Sequence, residues 1–404
     1  MRSSLYLTRP RVVAPVLGFP DAASACVFGA ARLRGPIARD AIAQVSSLSI
    51  ATVNRHVTAL LGAGLLRERP DLATAGAIGR PRVPVEVNHD PYLSLGLHIG
   101  ARTTSIVATD LLGRTLDVVE TPTPQTGQDA ALTALAASAR RYLSRWHRRR
   151  PLSVGVAIGG IVDSATGTVD HPRLGWASAP VGSVLAEALG LPASVAVHVD
   201  AMAGAELLLG PRLPTNSSTG LFVYARETVG YALVIEGRVH SPASGPGSIA
   251  ALPVQSELLG GSGRLESTVS DEAVLAAARR HKIVTESGTL ATVRKAARGG
   301  DPAARELLAE RARVLGCAVG LLRDMLNPDH LFVGGQAFTE YPEGMADVTA
   351  AYAASSTLAP RDIRVTAFGN RVQEVGAGVV SLGGLYADPL AAMRRAVRRV
   401  GVPA

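Results

Sequence analysis

Asn54 and Arg55 lie side by side within Gly35–Leu66, GPIARDAIAQVSSLSIATVNRHVTALLGAGLL. An amide and a guanidinium on one exposed helical face can reach base edges or phosphates of duplex DNA. The small or polar Ala51, Thr52 and Thr58 beside them would let that face enter the major groove without a steric barrier. Such chemistry requires a helix to present it. Ile50, Val53, Val57, Leu60 and Leu61 recur at helical spacing, Ser49 stands before them as an N-cap, and Leu48 is placed to staple onto Val53. Upstream, Ala41, Ile42 and Val45 share a face of a shorter helix, and Ser46–Leu48 supply a tight turn. The spacing predicts a helix-turn-helix whose DNA-facing residues are Ser49, Ala51, Thr52, Asn54, Arg55 and Thr58. The competing reading is an ordinary helical hairpin with a solvated polar face.

RERPDLATAGAIGRPRVPVEVN follows, two short extended pieces around a Gly/Ala/Thr-rich tip, with four Arg and no Lys. It reads as the wing of a winged helix. Within it, Gly79-Arg80-Pro81 is extended, and Arg80 is suited to a narrow minor groove.

Charge placement points the same way. The 404-residue chain carries a net charge of +8, and residues 1–90 hold eleven Arg against six acidic residues. This footprint favours a polyanion and salt-sensitive binding. A second basic run, Arg140, Arg141, Arg145, Arg148, Arg149 and Arg150, is expected to end a helix as a solvated face. Two cysteines, Cys26 and Cys317, support no disulfide framework and fit a reducing cytoplasm. Arg9 and Arg11 before VVAPVLGFP and Ala23-Ser24-Ala25 imitate a secretory signal. Pro15 and Pro20 interrupt that apolar part, however, and cleavage would cut into the first helix. No uncharged apolar run reaches the roughly eighteen residues that span a membrane.

Residues 1–20 read as a flexible arm and Ala22–Leu33 as a helix behind the reading pair, with Asn88-His89-Asp90-Pro91 as a linker. From Tyr92 the texture becomes α/β. Short strands at Leu95–Ile99, Ser105–Asp110 and Thr115–Val119 precede a helix over about Asp129–His147 and a buried strand at Val154–Ile158. The pattern returns at Leu221–Tyr224 and Gly230–Ile235, with helices near 270–280, 288–297 and 303–326 and a strand at Leu331–Val333. Two hairpin-opened units predict a duplicated α/β lobe with a ligand cleft between the copies.

In this order the segments LGLHIGARTTSIVATDLLGR, VGVAIGGIVD, HPRLGW, VDAMAGAE, IEGRV and NPDHLFVGGQ, behind a winged helix-turn-helix, resemble the ROK family of sugar-responsive repressors and sugar kinases. The resemblance covers about residues 22–390 and implies a two-lobed actin-like, RNase H-like fold. It also implies what is missing. Family kinases hold nucleotide phosphates and Mg²⁺ with D-x-G-x-T and Gly-Thr-Gly hairpins, since phosphate approach needs bare backbone and the metal a carboxylate. Here the Asp is His98, and the second hairpin reads Arg226-Glu227-Thr228-Val229-Gly230, so ATP binding and kinase activity are not expected. In the sugar pocket the Asn-Asp pair becomes Val199-Asp200, the Asn before Leu-Gly-Trp becomes Arg173, and Gly-Glu-x-Gly-His becomes Gly247-Ser248-Ile249-Ala250-Ala251. The zinc cysteines fall near Glu257, Leu259 and Arg264, so no structural zinc and no cofactor are expected.

Gly160, Arg173, Asp200 and Ser248 remain as ligand-binding candidates, each beside a plainer role. Asp200 could bind a hydroxyl or cap a helix over about 201–208. Arg173 could bind an anion or face solvent, Trp176 could line the cleft or fill the core, and Gly160, Gly334 and Gly335 could admit a ligand or make turns. His98 is expected to be a semi-buried imidazole and Glu227 to be solvated. The whole predicts an α/β (α+β overall) chain with an arm (1–20), a winged helix-turn-helix (21–90) and two lobes (91–205 and 206–404, the C-terminal helix returning to the first). Its expected role is a cytoplasmic, sequence-specific DNA-binding repressor. It would form a homodimer or homotetramer on operator DNA, with a possible sugar or sugar-phosphate effector, no catalytic residues and no membrane association. The rivals are a ligand-independent regulator and an ATP-dependent carbohydrate kinase with a DNA-binding module.

Overall fold

The computed structural model describes residues 12–73, 83–211, 218–242 and 245–397. Helices α1 (Ala23–Arg34), α2 (Arg39–Ser46) and α3 (Ile50–Gly62) precede a two-stranded antiparallel sheet of β1 (Leu66–Glu68) and β2 (Val85–Val87). Val27, Phe28, Ile42, Val53, Val57, Leu60, Leu65 and Val85 are buried and form the apolar interior of this head. Ser47, with φ 55°, makes the turn between α2 and α3. The expected apolar face is narrower than the spacing suggested, for Ile50 is 49% exposed and Val45 39%. Ile50 opens α3, and a helical side chain covers the turn N-terminal to itself, which a first residue lacks.

The first sheet has the order β10 (Ala193–Val197), β6 (Arg150–Ile158), β3 (Tyr92–Ile99), β4 (Thr103–Thr109), β5 (Thr115–Pro122). β3 is buried along its whole length and pairs parallel with β6 and antiparallel with β4. Its near-continuous apolar run is what a strand covered on both faces needs. Between these strands lie α4 (Gln128–Ser144), a three-stranded antiparallel sheet of β7 (Ile161–Asp163), β8 (Thr168–His171) and β9 (Trp176–Ala179), and α5 (Val181–Leu189). α6 (His198–Leu209) follows β10.

The second sheet repeats the connectivity. β11 (Gly220–Ala225), β12 (Val229–Ile235) and β13 (Arg238–His240) form an antiparallel meander, with β14 (Gly247–Ser248) also on β12. After α7 (Leu265–Val269), α8 (Asp271–Arg280), α9 (Leu290–Arg298) and α10 (Pro302–Leu326), β15 (His330–Gly334) joins β11 in parallel. α11 (Gln336–Thr339) and α12 (Met345–Ser355) lead to β16 (Ile363–Val365), which joins β15 in parallel. α10 begins on Asp301, whose side chain accepts from the Ala304 amide, with Pro302 in the first turn.

The chain divides into two compact units, residues 1–204 with 374–404, and 205–373. The segment from Glu374, most of α13 (Val372–Ala387) and all of α14 (Pro389–Val397), therefore belongs with the first unit. α13 lies on the first sheet at backbone contact. Gly96 and Gly155 are register partners on β3 and β6. A Cβ on Gly96 would stand 2.7 Å from Ala377 C and Gly378 N, and one on Gly155 2.7 Å from Ser381 Cα and Val380 C.

Two expectations change here. The basic run ends a helix only in its first half: α4 stops at Ser144 with Arg141 in its last turn and Arg145 at its C-cap, both exposed as expected, while the end of the run does not stay in solvent. Arg149 Nη1 instead donates to the carbonyls of His89 and Tyr92, each 3.2 Å away, and Arg150 opens β6 and donates to the Ala396 carbonyl at 2.8 Å. Of the arm over residues 1–20, residues 1–11 lie outside the described residues. From Val12 on it is seated: Val12 bridges Ala193 in parallel, the Val13 amide donates to the Ala193 carbonyl at 2.8 Å, and Leu17 is buried. No single described helix is long and apolar enough to cross a membrane.

Candidate DNA-reading surface and ligand site

α3 starts on Ser49, whose hydroxyl accepts from the Thr52 amide at 3.2 Å and donates to Thr52 Oγ1 at 2.9 Å. This cap satisfies an amide that has no partner within the helix. It engages the Ser49 hydroxyl as donor and acceptor and the Thr52 hydroxyl as acceptor, so Ser49 and Thr52 fix the start of α3. Ala51, Asn54, Arg55 and Thr58 are exposed, while Val53 and Val57 between them are buried. Arg55 has no ion-pair partner among the described residues. Its neighbour His56 is held below the usual imidazole range, first by burial and then by the Arg55 charge, so Arg55 is the cation of this face.

Asn54 has a partner within the head. Its Oδ1 accepts from Arg39 Nη1 at 3.4 Å, and Arg39 Nη2 pairs with Glu68 Oε1 at 3.3 Å. α2, α3 and β1 are tied through one guanidinium. Sequence reasoning did not find Arg39, because the pair spans fifteen residues and exists only once the turn has formed.

The segment of β1 and β2, expected to be a wing, is less cationic than its composition. Arg67 pairs with Glu86 and Asp90, each at 2.7 Å, and Arg69 with Asp71 at 2.6 Å and Glu86 at 2.9 Å. Arg69 holds Asp71 below the usual carboxylate range. Both arginines are thus paired with carboxylates on and beside the two strands. Arg80, with the rest of residues 74–82, lies outside the described residues.

The tentative ligand residues fall in both units. In the first, β6 ends in Gly159-Gly160, and Gly160 has φ 86°; a Cβ there would run into the Asp170 carbonyl. His171 Nδ1 accepts from the Leu174 amide at 3.3 Å, which caps the turn carrying Arg173 and assigns the ring proton to Nε2. A Cβ on Gly159 would lie 3.2 Å from that Nε2 and 3.9 Å from His198 Cε1. The rings of His98 and His198 are parallel, 6.1 Å apart. Three imidazoles thus gather where two glycines leave room for them. Sequence reasoning weighed only His98, since the three lie far apart in the chain.

α6 begins at His198, so Asp200 is buried inside its first turn and is not an N-cap. Trp176 is buried on β9 and Arg173 is exposed. Glu227, expected in solvent, is half-buried, its turn closed by Arg226 N–H to the Thr228 carbonyl. Ser248 is exposed in the second unit, its hydroxyl accepting from the Ala250 amide at 3.3 Å. Among the described residues no group of three His, Cys, Asp or Glu side chains is arranged to hold a metal ion.

Burial, then the neighbouring His171, pushes His198 down to about 4. The positive end of α6 acts in the same direction. An unfolded imidazole, at about 6.5, takes up its proton first, so stability is constant above that value and falls as pH drops towards 4. Between pH 6.5 and 5 the expected loss is about 2 kcal/mol. Urea denaturation should show it in the wild type and a smaller loss in His198→Gln; equal slopes would contradict this assignment.

The ROK family profile matches residues 94–381. The chain is 71% identical over 395 residues to the Mycobacterium tuberculosis transcriptional regulator Rv0485, covering 95% of this chain and 90% of that one. It is 24% identical to the Escherichia coli DNA-binding transcriptional dual regulator NagC, covering 78% and 80%. A crystal structure of a ROK family transcriptional regulator, a homologue of the E. coli MLC protein, superposes with a TM-score of 0.74 at 22% identity, covering 93% of this chain and 98% of that one. The capped, outward-facing helix and the two α/β units occur in a chain that belongs to the ROK family and is a transcriptional regulator within it.

Proposed function

We propose that residues 21–90 are a winged helix-turn-helix that reads operator DNA through α3. On this reading Asn54 and Arg55 reach base edges or phosphates, Ala51 and Thr58 line the groove, and Ser49 and Thr52 set the entry of the helix. Arg80 would reach the minor groove beside it. The observation that carries the reading is the composition of the α3 face: Arg55 is exposed with no ion-pair partner among the described residues, while Arg67 and Arg69 are already paired. The body from residue 91 onward, of the actin-like type, would pair subunits so that two heads meet a two-fold operator as a homodimer or homotetramer in the cytoplasm. Genome-wide mapping of bound DNA tests this directly. The expected output is a set of pseudo-palindromic sites with one half-site spacing; scattered, motif-free occupancy would overturn it.

The chemistry of the site around Asp200 supports an effector role without catalysis. Burial holds His171 and His198 below the usual imidazole range, and imidazoles that both donate and accept suit the hydroxyls of an uncharged sugar better than a phosphate. Gly160 would leave room for such a ligand, and Arg173 is a further candidate in the same unit; Ser248, in the other unit, is a separate candidate. A kinase reading is disfavoured, because His98 stands where a metal-binding carboxylate would be needed and Glu227 would repel a phosphate. Calorimetry across sugars and sugar phosphates decides between an effector-responsive repressor and a ligand-independent one.

A further inference from the structure

The segment Val12–Pro20 runs over backbone at four places. Cβ atoms on Gly167 and Gly182 would stand 2.9 and 3.0 Å from the Val12 methyls, and one on Gly204 would stand 3.0 Å from Leu17 Cδ2. One on Gly383, in α13, would strike the Val16 carbonyl. Gly167 lies in the turn between β7 and β8, Gly182 in α5 and Gly204 in α6, so the segment touches the turn that leads into β8 and the helix that carries Asp200. Pro15 and Pro20 restrict it in advance, which lowers the entropy lost on seating.

At its far end the segment passes directly into α1, where Cys26 Sγ donates to the Pro20 carbonyl at 3.7 Å. α1 is itself clasped to α13: Phe28 and Tyr386 have ring centroids 6.4 Å apart, and the Arg32 guanidinium lies 4.4 Å above the Tyr386 ring. The opposite end of the head is held by Arg149 on the His89 and Tyr92 carbonyls. A body tethered by one strand of chain can swivel, whereas one tethered at both ends cannot.

We propose that Val12–Pro20 is an orienting strap that holds the three-helix head in one pose on the body, so that releasing it frees the head without unfolding the chain. Full-length protein, Gly383→Ala and a variant lacking residues 1–19 are compared by amide hydrogen exchange. In the wild type the Val13 amide should exchange at least about 100-fold more slowly than in unstructured chain. In both variants the α1 amides should exchange about tenfold faster, with α10 unchanged. The proposal is overturned if wild-type Val13 exchanges at the unstructured rate, or if α1 keeps wild-type protection in either variant. Loss of protection in α10 as well would also overturn it, since the strap would then be a general stabiliser. A second arm rests on the DNA reading. With a duplex recovered by mapping, the wild type should discriminate at least tenfold against half-sites moved by half a helical turn, and both variants should lose that discrimination. Discrimination retained by the variants overturns the strap; a duplex bound by none of the three sinks the DNA reading and leaves exchange to decide the strap.

Discussion

Arg55→Ala should weaken binding to a mapped operator by about ten- to a hundredfold if Arg55 contacts a base, the range for losing one good side-chain contact in the groove. The loss should fall on the specific duplex, so that the variant binds operator and scrambled sequence more nearly alike. A phosphate contact would instead weaken both and make the salt dependence shallower by about one unit of slope. Arg39→Ala provides the partner test. Arg39 holds Asn54 at 3.4 Å and Glu68 at 3.3 Å, so its removal should loosen Asn54 and reduce discrimination while leaving the α3 cap intact. Anisotropy titrations of operator and scrambled duplexes at two salt concentrations separate these outcomes. Full wild-type affinity in Arg55→Ala would remove the residue from the interface.

Gly155→Ala should destabilise the first unit by about 3 kcal/mol, the upper part of the range for overpacking a tight interior. The added methyl has no flexible side chain to displace, because it meets Ser381 N and Cα and Val380 C, all of them α13 backbone. Relief requires α13 to lift from β3 and β6, which would also open the contact at Gly96. Gly29→Ala is the control: nothing lies within 4 Å of its Cβ position in α1, and exchanging Gly for Ala inside a helix should add about 0.5–1 kcal/mol. Urea midpoints of the two variants should therefore move in opposite directions. A Gly155→Ala protein as stable as wild type would mean that α13 is not seated as described.

What the sequence displayed best was local. Ser49 as cap, the turn before it and the α3 stripe of Val53, Val57 and Leu60 depend on neighbours a few residues away, and all were legible. The second sheet was legible for the same reason, since its hairpin repeats the first. What stayed hidden depends on partners distant in the chain. Gly96 and Gly155 look like ordinary strand residues until α13 arrives from more than 200 residues downstream. Val12–Pro20 looked like a loose arm because its seat is built from glycines in three helices and a turn that lie far apart in the chain. Asp200 looked like a cap because α6 begins two residues earlier, at a histidine that intrinsic propensity does not favour as a helix start. The imidazole cluster was invisible because no spacing rule links residues 98, 171 and 198. Arg67 and Arg69 counted as free charge until Glu86, the carboxylate they share, came into register on β2.

The central claim is that α3 gives this chain sequence-specific hold on DNA. Its most direct test is the ratio of affinities of purified full-length protein for a mapped operator and for a scrambled duplex of equal length, at one stated salt concentration. The account predicts a ratio of at least about 1,000, the lower end for specific over non-specific binding, collapsing in the double variant Asn54→Ala, Arg55→Ala. A ratio near one in the wild type, or a ratio that the double variant leaves intact, would contradict it.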